Sequence, residues 1–326
     1  MRRVLHRGFG VAVDQALCTA LALMHRRHAR RTSSREAAEE YFARCERQTR
    51  TDHFALPSEM DDFMEEAPGV ISWRSEARAN QEFQANARAR VVLSTVRRDA
   101  PTVIMLHALM SASDAGYRRW ARRFNSLGWN AAFLHLPFHY SRRPPGFLNG
   151  ELCCTADLIL TGDTLRQAVV EIRQLITWLR SRGSSAIGLS GTSYGGWIAA
   201  LVGLLEPDLR FLTLLAPMVN IAHALYDGPT SWTIRDQLAR VSIDREMIAR
   251  HAHLSSPLSG RPSATLATRT LVVGGRFDRV VRLSDLELLN AAWPGSELIV
   301  LPQAHFGYGM IPRALAWLET RRLLAV

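Results

Sequence analysis

From Ala100 onward the chain repeats one pattern, a short apolar run followed by a segment whose apolar positions recur every three or four residues. Val103 to Leu106, Ala131 to Leu136, Ala186 to Leu189, Phe211 to Leu215, Thr270 to Val273 and Leu298 to Leu301 are runs of the length expected of buried strands. Between them, Tyr117, Trp120, Ala121, Phe124 and Leu127 share one helical face, and Gly128 stops that helix. Leu165, Ala168, Val169, Ile172, Leu175, Ile176 and Leu179 form the core face of a long helix expected over Asp163 to Arg182. Further helices are expected over Tyr194 to Leu205, from a capped start at Ser284-Asp285-Leu286-Glu287, and over Ile311 to Leu324. Strands alternating with amphipathic helices predict an α/β fold, a mostly parallel twisted sheet with helices on both faces. Ligands of such sheets bind at the carboxyl ends of the strands.

Upstream the pattern is different. Val70 to Arg74 and Ala89 to Val96 read as strands, while the acidic stretch from Thr51 to Gly69, with Pro57, Pro68 and Gly69, reads as a connector. Two helices precede it. The first carries Leu5, Phe9, Val13, Ala16, Ala20 and Met24 at helical spacing, and the second starts at the capping box Ser33-Ser34-Arg35-Glu36 and runs to about Arg47. Residues 1–69 are therefore expected to be a helical extension and connector, and residues 70–326 the main α/β domain. Within that domain, residues 218–267 interrupt the alternation with short helical patterns and Pro229, Pro257 and Pro262. The interruption falls between the sixth and seventh core strands, where it predicts a helical cap over the ligand-binding end.

Composition sharpens this picture. The chain has 326 residues, 47% of them hydrophobic and 21% charged, which excludes a disordered chain and a disulfide-stapled mini-protein. Its net charge is +10, and every basic side chain apart from histidine is arginine. Eleven arginines face five carboxylates within residues 1–50, so most of the excess belongs to the extension. Two readings follow for the first helix: peripheral docking on an anionic membrane surface, or packing against its own domain. Nucleic acid is not an expected partner, because no recognition motif accompanies the charge. Residues 8–24 are read as an amphipathic helix rather than a signal peptide or a membrane span, since Asp14 and Gln15 interrupt them and no small-residue cleavage site follows. Four cysteines, two adjacent as Cys153-Cys154, fit neither a metal pattern nor a disulfide framework. Reduced thiols and a cytoplasmic location, with membrane association left open, are the expectation.

The chemistry is carried by three loops. Gly191-Thr192-Ser193-Tyr194-Gly195 is a G-x-S-x-G sequence with an expected strand before it and an expected helix after it, the setting that exposes a serine on a sharp turn. A serine hydroxyl needs a base to take its proton, and the base needs a group to orient it. Asp278 follows the run Thr270 to Val273, and His305 follows Leu298 to Leu301, both at the end of the sheet where Ser193 must lie. Asp227 and Asp285 are the rival acids and His251 and His253 the rival bases, but none of them directly follows a strand. An acyl-transfer transition state also needs donors for its oxyanion. The backbone N–H of Tyr194 is one, and Leu109, in the loop His107-Ala108-Leu109-Met110, is the choice for the second. With no lysine in the chain, a lysine base or Schiff base is excluded.

In this order the elbow, the Asp278 loop, the His305 loop and the His-x-Leu segment resemble the α/β-hydrolases, over roughly Val91 to the C-terminus, and most of all the dienelactone-hydrolase-like and related bacterial branches. The resemblance implies Ser193 as nucleophile, His305 as general base and acid, Asp278 as its orienter, and neither metal nor organic cofactor. One departure is Ala108, where many members carry glycine. The implied reaction is cleavage of a carboxylic ester or thioester, with a small-molecule or lipid-like substrate; amide or peptide hydrolysis and a non-catalytic binding protein are the alternatives. His107, Met110, His139, Trp197, Phe277 and Phe306 are candidate pocket residues, with His107 read first as a structural histidine. Arg142-Arg143 is read as a solvated loop or a contact for an anionic substrate.

Overall fold

The computed structural model describes residues 2–28, 31–60, 62–307 and 309–325, and leaves the side chains of residues 2–9, 28, 78 and 79 outside the description. The expected positions Leu5 and Phe9 of the first helical stripe fall among the latter.

Nine strands form one sheet: β1 (Met64–Ala67), β2 (Val70–Arg74), β3 (Arg88–Ser94), β4 (Thr102–Leu106), β5 (Asn130–His135), β6 (Ile187–Thr192), β7 (Phe211–Leu215), β8 (Thr270–Gly275) and β9 (Glu297–Leu301). Their order is β1-β2-β3-β5-β4-β6-β7-β8-β9. β1, β2 and β3 run antiparallel to their neighbours, and β4 to β9 with β5 form the parallel part. Every strand expected from the apolar runs is present. β1 is the addition, because its residues Met-Glu-Glu-Ala are exposed along their whole length and carry no burial pattern to read.

Strict alternation divides the central strands between two cores. Ile104, Leu106, Ala132 and Leu134 face α5 (Leu158–Ser181) and α6 (Tyr194–Gly203), whereas Val103, Met105, Ala131 and Phe133 face α4 (Ala115–Ser126) and α13 (Met310–Thr320). α12 (Leu283–Ala292) joins the first of these layers through Leu286 and Leu289. The expected architecture of a parallel sheet covered on both faces is therefore the observed one.

Two expected caps move. α5 begins at Leu158 rather than Asp163, because the Asp157 side chain accepts the N–H of Leu160 at 3.0 Å and starts the helix earlier. α12 starts at Leu283 without a side-chain cap, and Asp285 instead accepts from His223 Nδ1 at 2.8 Å and from Asn220 Nδ2 at 3.2 Å.

Residues 1–69 do not form a separate body. α1 (Arg2–His25) lies against the cap, where Thr233 Oγ1 donates to the Ala22 carbonyl at 2.6 Å and Gln237 Nε2 to that of His25 at 3.2 Å. α2 (Arg35–Glu46) is capped by Ser34, one residue later than expected, because Ser33 Oγ donates instead to Asp157 Oδ1 at 2.9 Å. Ala38, Tyr41, Phe42 and Cys45 of α2 then share a core with cap residues Ile234, Leu238, Met247 and Ile248. The short α3 (Arg50–His53) follows, and Arg50 reaches the carbonyl of His253 at 2.6 Å. The cap itself comprises α7 (Ile221–Tyr226), α8 (Trp232–Arg240), α9 (Arg245–Ala249), α10 (Ala252–Ser255) and α11 (Ala264–Ala267), in the expected place between β7 and β8.

Arg142 belongs to neither of its expected settings. It is buried, and its guanidinium meets Glu171 of α5 at 2.6 and 2.7 Å and the carbonyls of His135 and Asn86 at 3.0 Å each. The loop after β5 is thus tied to α5 by a bidentate ion pair rather than left in solvent. Glu171→Ala strands that charge in the interior and is expected to cost about 3 to 5 kcal/mol, read as a lower urea midpoint with the same slope; an unchanged midpoint would show the pair to be idle.

Candidate active site

The tight turn between β6 and α6 dictates the geometry of Ser193. Its backbone sits at φ 52° and ψ −112°, a conformation that an L-residue adopts only under constraint. The constraint is visible on three sides. Ser193 N–H donates to the carbonyl of Leu215 at the end of β7 at 2.8 Å. A Cβ added to Gly191 would stand 2.2 Å from the carbonyl oxygen of Gly195, and one on Gly195 would stand 2.5 Å from that of His107. The two glycines are needed because the turn folds back on itself and onto the end of β4.

Asp278 and His305 come to the same place from the loops after β8 and β9. His305 Nε2 lies 3.0 Å from Ser193 Oγ, and His305 Nδ1 lies 2.8 Å from Asp278 Oδ2. Asp278 Oδ1 accepts the N–H groups of Val280 and Val281, each at 2.8 Å, which fixes the carboxylate. A carboxylate can only accept, so Nδ1 carries the hydrogen and Nε2 presents its lone pair to the serine hydroxyl. Burial disfavours charge on His305, but the adjacent Asp278 carboxylate, with a contribution from Asp14, outweighs it and holds the imidazole pKa above its ordinary value. The three residues singled out in the sequence, 85 and 27 positions apart along the chain, are therefore in mutual hydrogen-bond contact.

The remaining expectations divide. The N–H of Tyr194 opens α6, where the first turn has no intrahelical partners for its donors. The N–H of Leu109 makes no bond within the protein among the described residues. Trp197 is one turn into α6, bonds the Ser255 carbonyl at 2.6 Å, and lines an apolar cavity of about 110 Å³ together with Phe42, Leu158, Met218, Ile234 and Ile248. That cavity adjoins the elbow, since the N–H groups of Trp197 and Met218 both point to the Ser193 carbonyl, at 2.9 and 3.4 Å. A wider, open cleft of about 890 Å³ between α2 and α5 is lined mostly by polar residues, and neither cavity is lined by Ser193, Asp278 or His305 themselves.

Phe306 is exposed and meets the His305 ring edge-on at 5.0 Å between centroids, and the N–H of Phe277 bonds the Gln303 carbonyl at 3.0 Å. Met110 adopts φ 57° in the turn after Leu109. His107 and His139 are both wholly buried. His107 Nε2 accepts the Leu136 N–H at 3.1 Å and joins the ends of β4 and β5, while His139 Nδ1 bonds the Pro137 carbonyl at 2.8 Å. Burial, reinforced for His107 by the facing His139, pushes both imidazole pKa values down, His139 to about 3. The rivals Asp227, Asp285, His251 and His253 all serve the cap: Asp227 pairs with Arg245 at 2.7 Å, and the His251 ring packs at a tilt against those of Tyr41 and Phe42 of α2.

One residue of the site had no motif to announce it. Asp14 of α1 is wholly buried, and its Oδ2 accepts the backbone N–H of Arg279 at 3.1 Å and of His305 at 3.0 Å. In the sequence it reads only as an interruption of an apolar stretch.

The architecture can be compared with solved structures. The chain superposes on an acetyl xylan esterase from Paenibacillus sp. with a TM-score of 0.58 at 13% identity, covering 90% of this chain and 96% of that one. For acetyl xylan esterase 1 from Thermoanaerobacterium sp. the values are 0.55, 16%, 90% and 94%. The chain has the α/β-hydrolase fold. A family model described as "Alpha/beta hydrolase domain containing 18" matches residues 112–235 of this chain, a span that includes the elbow and the start of the cap. Among curated proteins, the uncharacterized Mycobacterium tuberculosis protein Rv2627c is 27% identical over 254 residues, which is 74% of this chain. The matched region is 56% of that relative's length.

The strain at Ser193 can be read thermodynamically. Glycine adopts φ 52°, ψ −112° without side-chain conflict, so Ser193→Gly is expected to stabilise the fold by about 1 kcal/mol and to raise the melting temperature. An equal or lower melting temperature would show that the turn is not strained.

Proposed function

We propose that this α/β-hydrolase is a serine hydrolase that cleaves a carboxylic ester or thioester through an acyl-enzyme. The observation that carries the reading is the continuous hydrogen-bond chain from Ser193 Oγ through His305 to Asp278. In the proposed reaction His305 Nε2 takes the hydroxyl proton as Ser193 Oγ attacks the acyl carbon. The N–H groups of Tyr194 and Leu109 would receive the oxyanion, the first with the positive end of α6 behind it. Collapse breaks the bond between the acyl carbon and the leaving oxygen or sulfur, and His305 delivers its proton to that atom. Water then attacks the acyl-enzyme, gives its proton to His305, and releases the acid as the proton returns to Ser193.

The apolar cavity beside the elbow favours a substrate with a hydrophobic acyl group. An ester or thioester is preferred over an amide on chemical grounds, because alkoxide and thiolate are the better leaving groups. A small-molecule or lipid-like ester fits both features.

A second reading concerns location. Between Gly8 and Met24 the only charged residue of α1 is Asp14, and it points inward, so the outward face of Ala12, Gln15, Ala16, Leu17, Thr19, Ala20 and Leu23 carries no charge. Among the described residues no helix is long and apolar enough to cross a membrane. An uncharged face with arginines at both ends suits peripheral contact with anionic lipid, which would bring the site to a lipid substrate.

A fluorophosphonate probe is expected to label the wild-type protein and not Ser193→Ala; a folded wild type that resists labelling would remove the proposal. Because only neutral His305 can accept the proton and its pKa is raised, kcat/KM should fall on acidification with a midpoint above the ordinary histidine value of 6.5. An acid limb at or below 6.5 would contradict that assignment. Binding to anionic liposomes should weaken with salt and with Leu17→Glu/Leu23→Glu, and the absence of binding at low salt would dismiss the docking reading.

A further inference from the structure

We infer that Asp14 is a positioning residue of the active site: from α1, its carboxylate clasps the loop of the catalytic acid and the loop of the catalytic base and holds them in register. The inference rests on the catalytic reading of Ser193, His305 and Asp278 given above.

The geometry is specific. Both hydrogen bonds end on one oxygen, Oδ2, with Arg279 N–H at 3.1 Å and His305 N–H at 3.0 Å. Arg279 directly follows Asp278, and the second donor is the main chain of His305 itself, so the carboxylate bridges the two loops at the residues that carry the chemistry. The bridge spans 265 and 291 positions of sequence. Next to it Gly10 of α1 approaches Ala304, where a Cβ on the glycine would come within 3.1 Å of the alanine Cβ, so helix and loop are in close contact one turn away.

Burying a carboxylate on the inner face of a helix is unfavourable unless donors repay its lost hydration. Here the donors are backbone N–H groups of two irregular loops, which would otherwise be unsatisfied at the same spot. Such loops are the natural point of drift in a triad, since β8 and β9 end before Asp278 and His305 begin. An error of about 1 Å in the placement of His305 against Ser193 is enough to lower turnover on the order of a hundredfold.

The charge of Asp14 adds a second effect. Asp278, from the loop after β8, and Asp14, from α1, are the charged groups that face His305, and Ser193 opposite them is neutral. Cys18, one turn along α1, faces Asp14, Asp278 and Arg279; burial, with both carboxylates adding, pushes its thiol up to about 11, so it stays uncharged across the working range. Both carboxylates favour the imidazolium that forms during the reaction.

Asp14→Asn and Asp14→Ala in the full chain separate the two effects. Asparagine keeps an oxygen for the two N–H groups and removes the charge, whereas alanine removes both. The midpoint of the His305 imidazole titration, followed by NMR, is expected to move to lower pH in Asp14→Asn, with a smaller loss of kcat on a p-nitrophenyl ester than in Asp14→Ala. Asp14→Ala is expected to lose kcat on the order of tenfold to a hundredfold with little change in KM. An unmoved His305 titration in Asp14→Asn, or a folded Asp14→Ala with wild-type kcat, overturns the inference. If Asp14→Ala does not fold, the Asp14→Asn titration decides alone. A wild type without esterase turnover would defeat the catalytic reading instead, and the NMR titration still tests whether Asp14 acts on His305.

Discussion

A serine backbone held at φ 52° and ψ −112° is the constraint on which the rest of this structure depends. It requires a strand that stops, a helix that starts at once, and glycines on either side, because the turn leaves 2.2 Å for a side chain at Gly191 and 2.5 Å at Gly195. It also requires neighbours. β7 receives the Ser193 N–H, β4 stands against Gly195, and both are placed by the parallel register of the central sheet. Once the serine is presented there, the loops after β8 and β9 lie at the same end, and a histidine and an aspartate in them can reach it. Local strain is thus maintained by long-range pairing.

The basic N-terminal region acquires a different meaning from the one its charge suggests. Several of its arginines lie at the ends of α1 or pair locally, as Arg35 does with Glu39 and Arg44 with Glu40, while Arg31 pairs with Glu82 and Arg50 reaches the His253 carbonyl. Its one carboxylate before residue 36 is the group that enters the protein, to the loops of His305 and Asp278. α2 continues the arrangement by supplying Phe42 to the cavity beside the elbow. Sheet, cap and extension converge on one point, so the extension is structurally part of the site.

What could be read from the sequence follows the physics of each signal. Strands buried on both faces are short apolar runs, and the six that make up the centre of the sheet were legible within a residue or two at most ends. Ser193, Asp278 and His305 were legible because strand ends restrict where reactive residues can stand. β1 was not, since an exposed edge strand has no apolar pattern. Arg142 was not either, because a buried arginine is recognisable only through its partner Glu171, which is 29 residues away on another element. His107 and His139 stand at strand ends, where ligands bind, yet both nitrogens of His107 and Nδ1 of His139 are taken up by neighbouring backbone. Asp14 depends on contacts 265 and 291 residues distant, and no local pattern encodes such a bridge.

The central claim is that acyl transfer passes through Ser193. It is tested most directly by quenching turnover of a p-nitrophenyl acyl ester in acid and mapping the protein by mass spectrometry. The account predicts one acyl group, on the peptide that contains Ser193, accumulating during steady-state hydrolysis or in the first turnover. Hydrolysis without any adduct in the first turnover, or an adduct on another side chain such as Cys154, would contradict it.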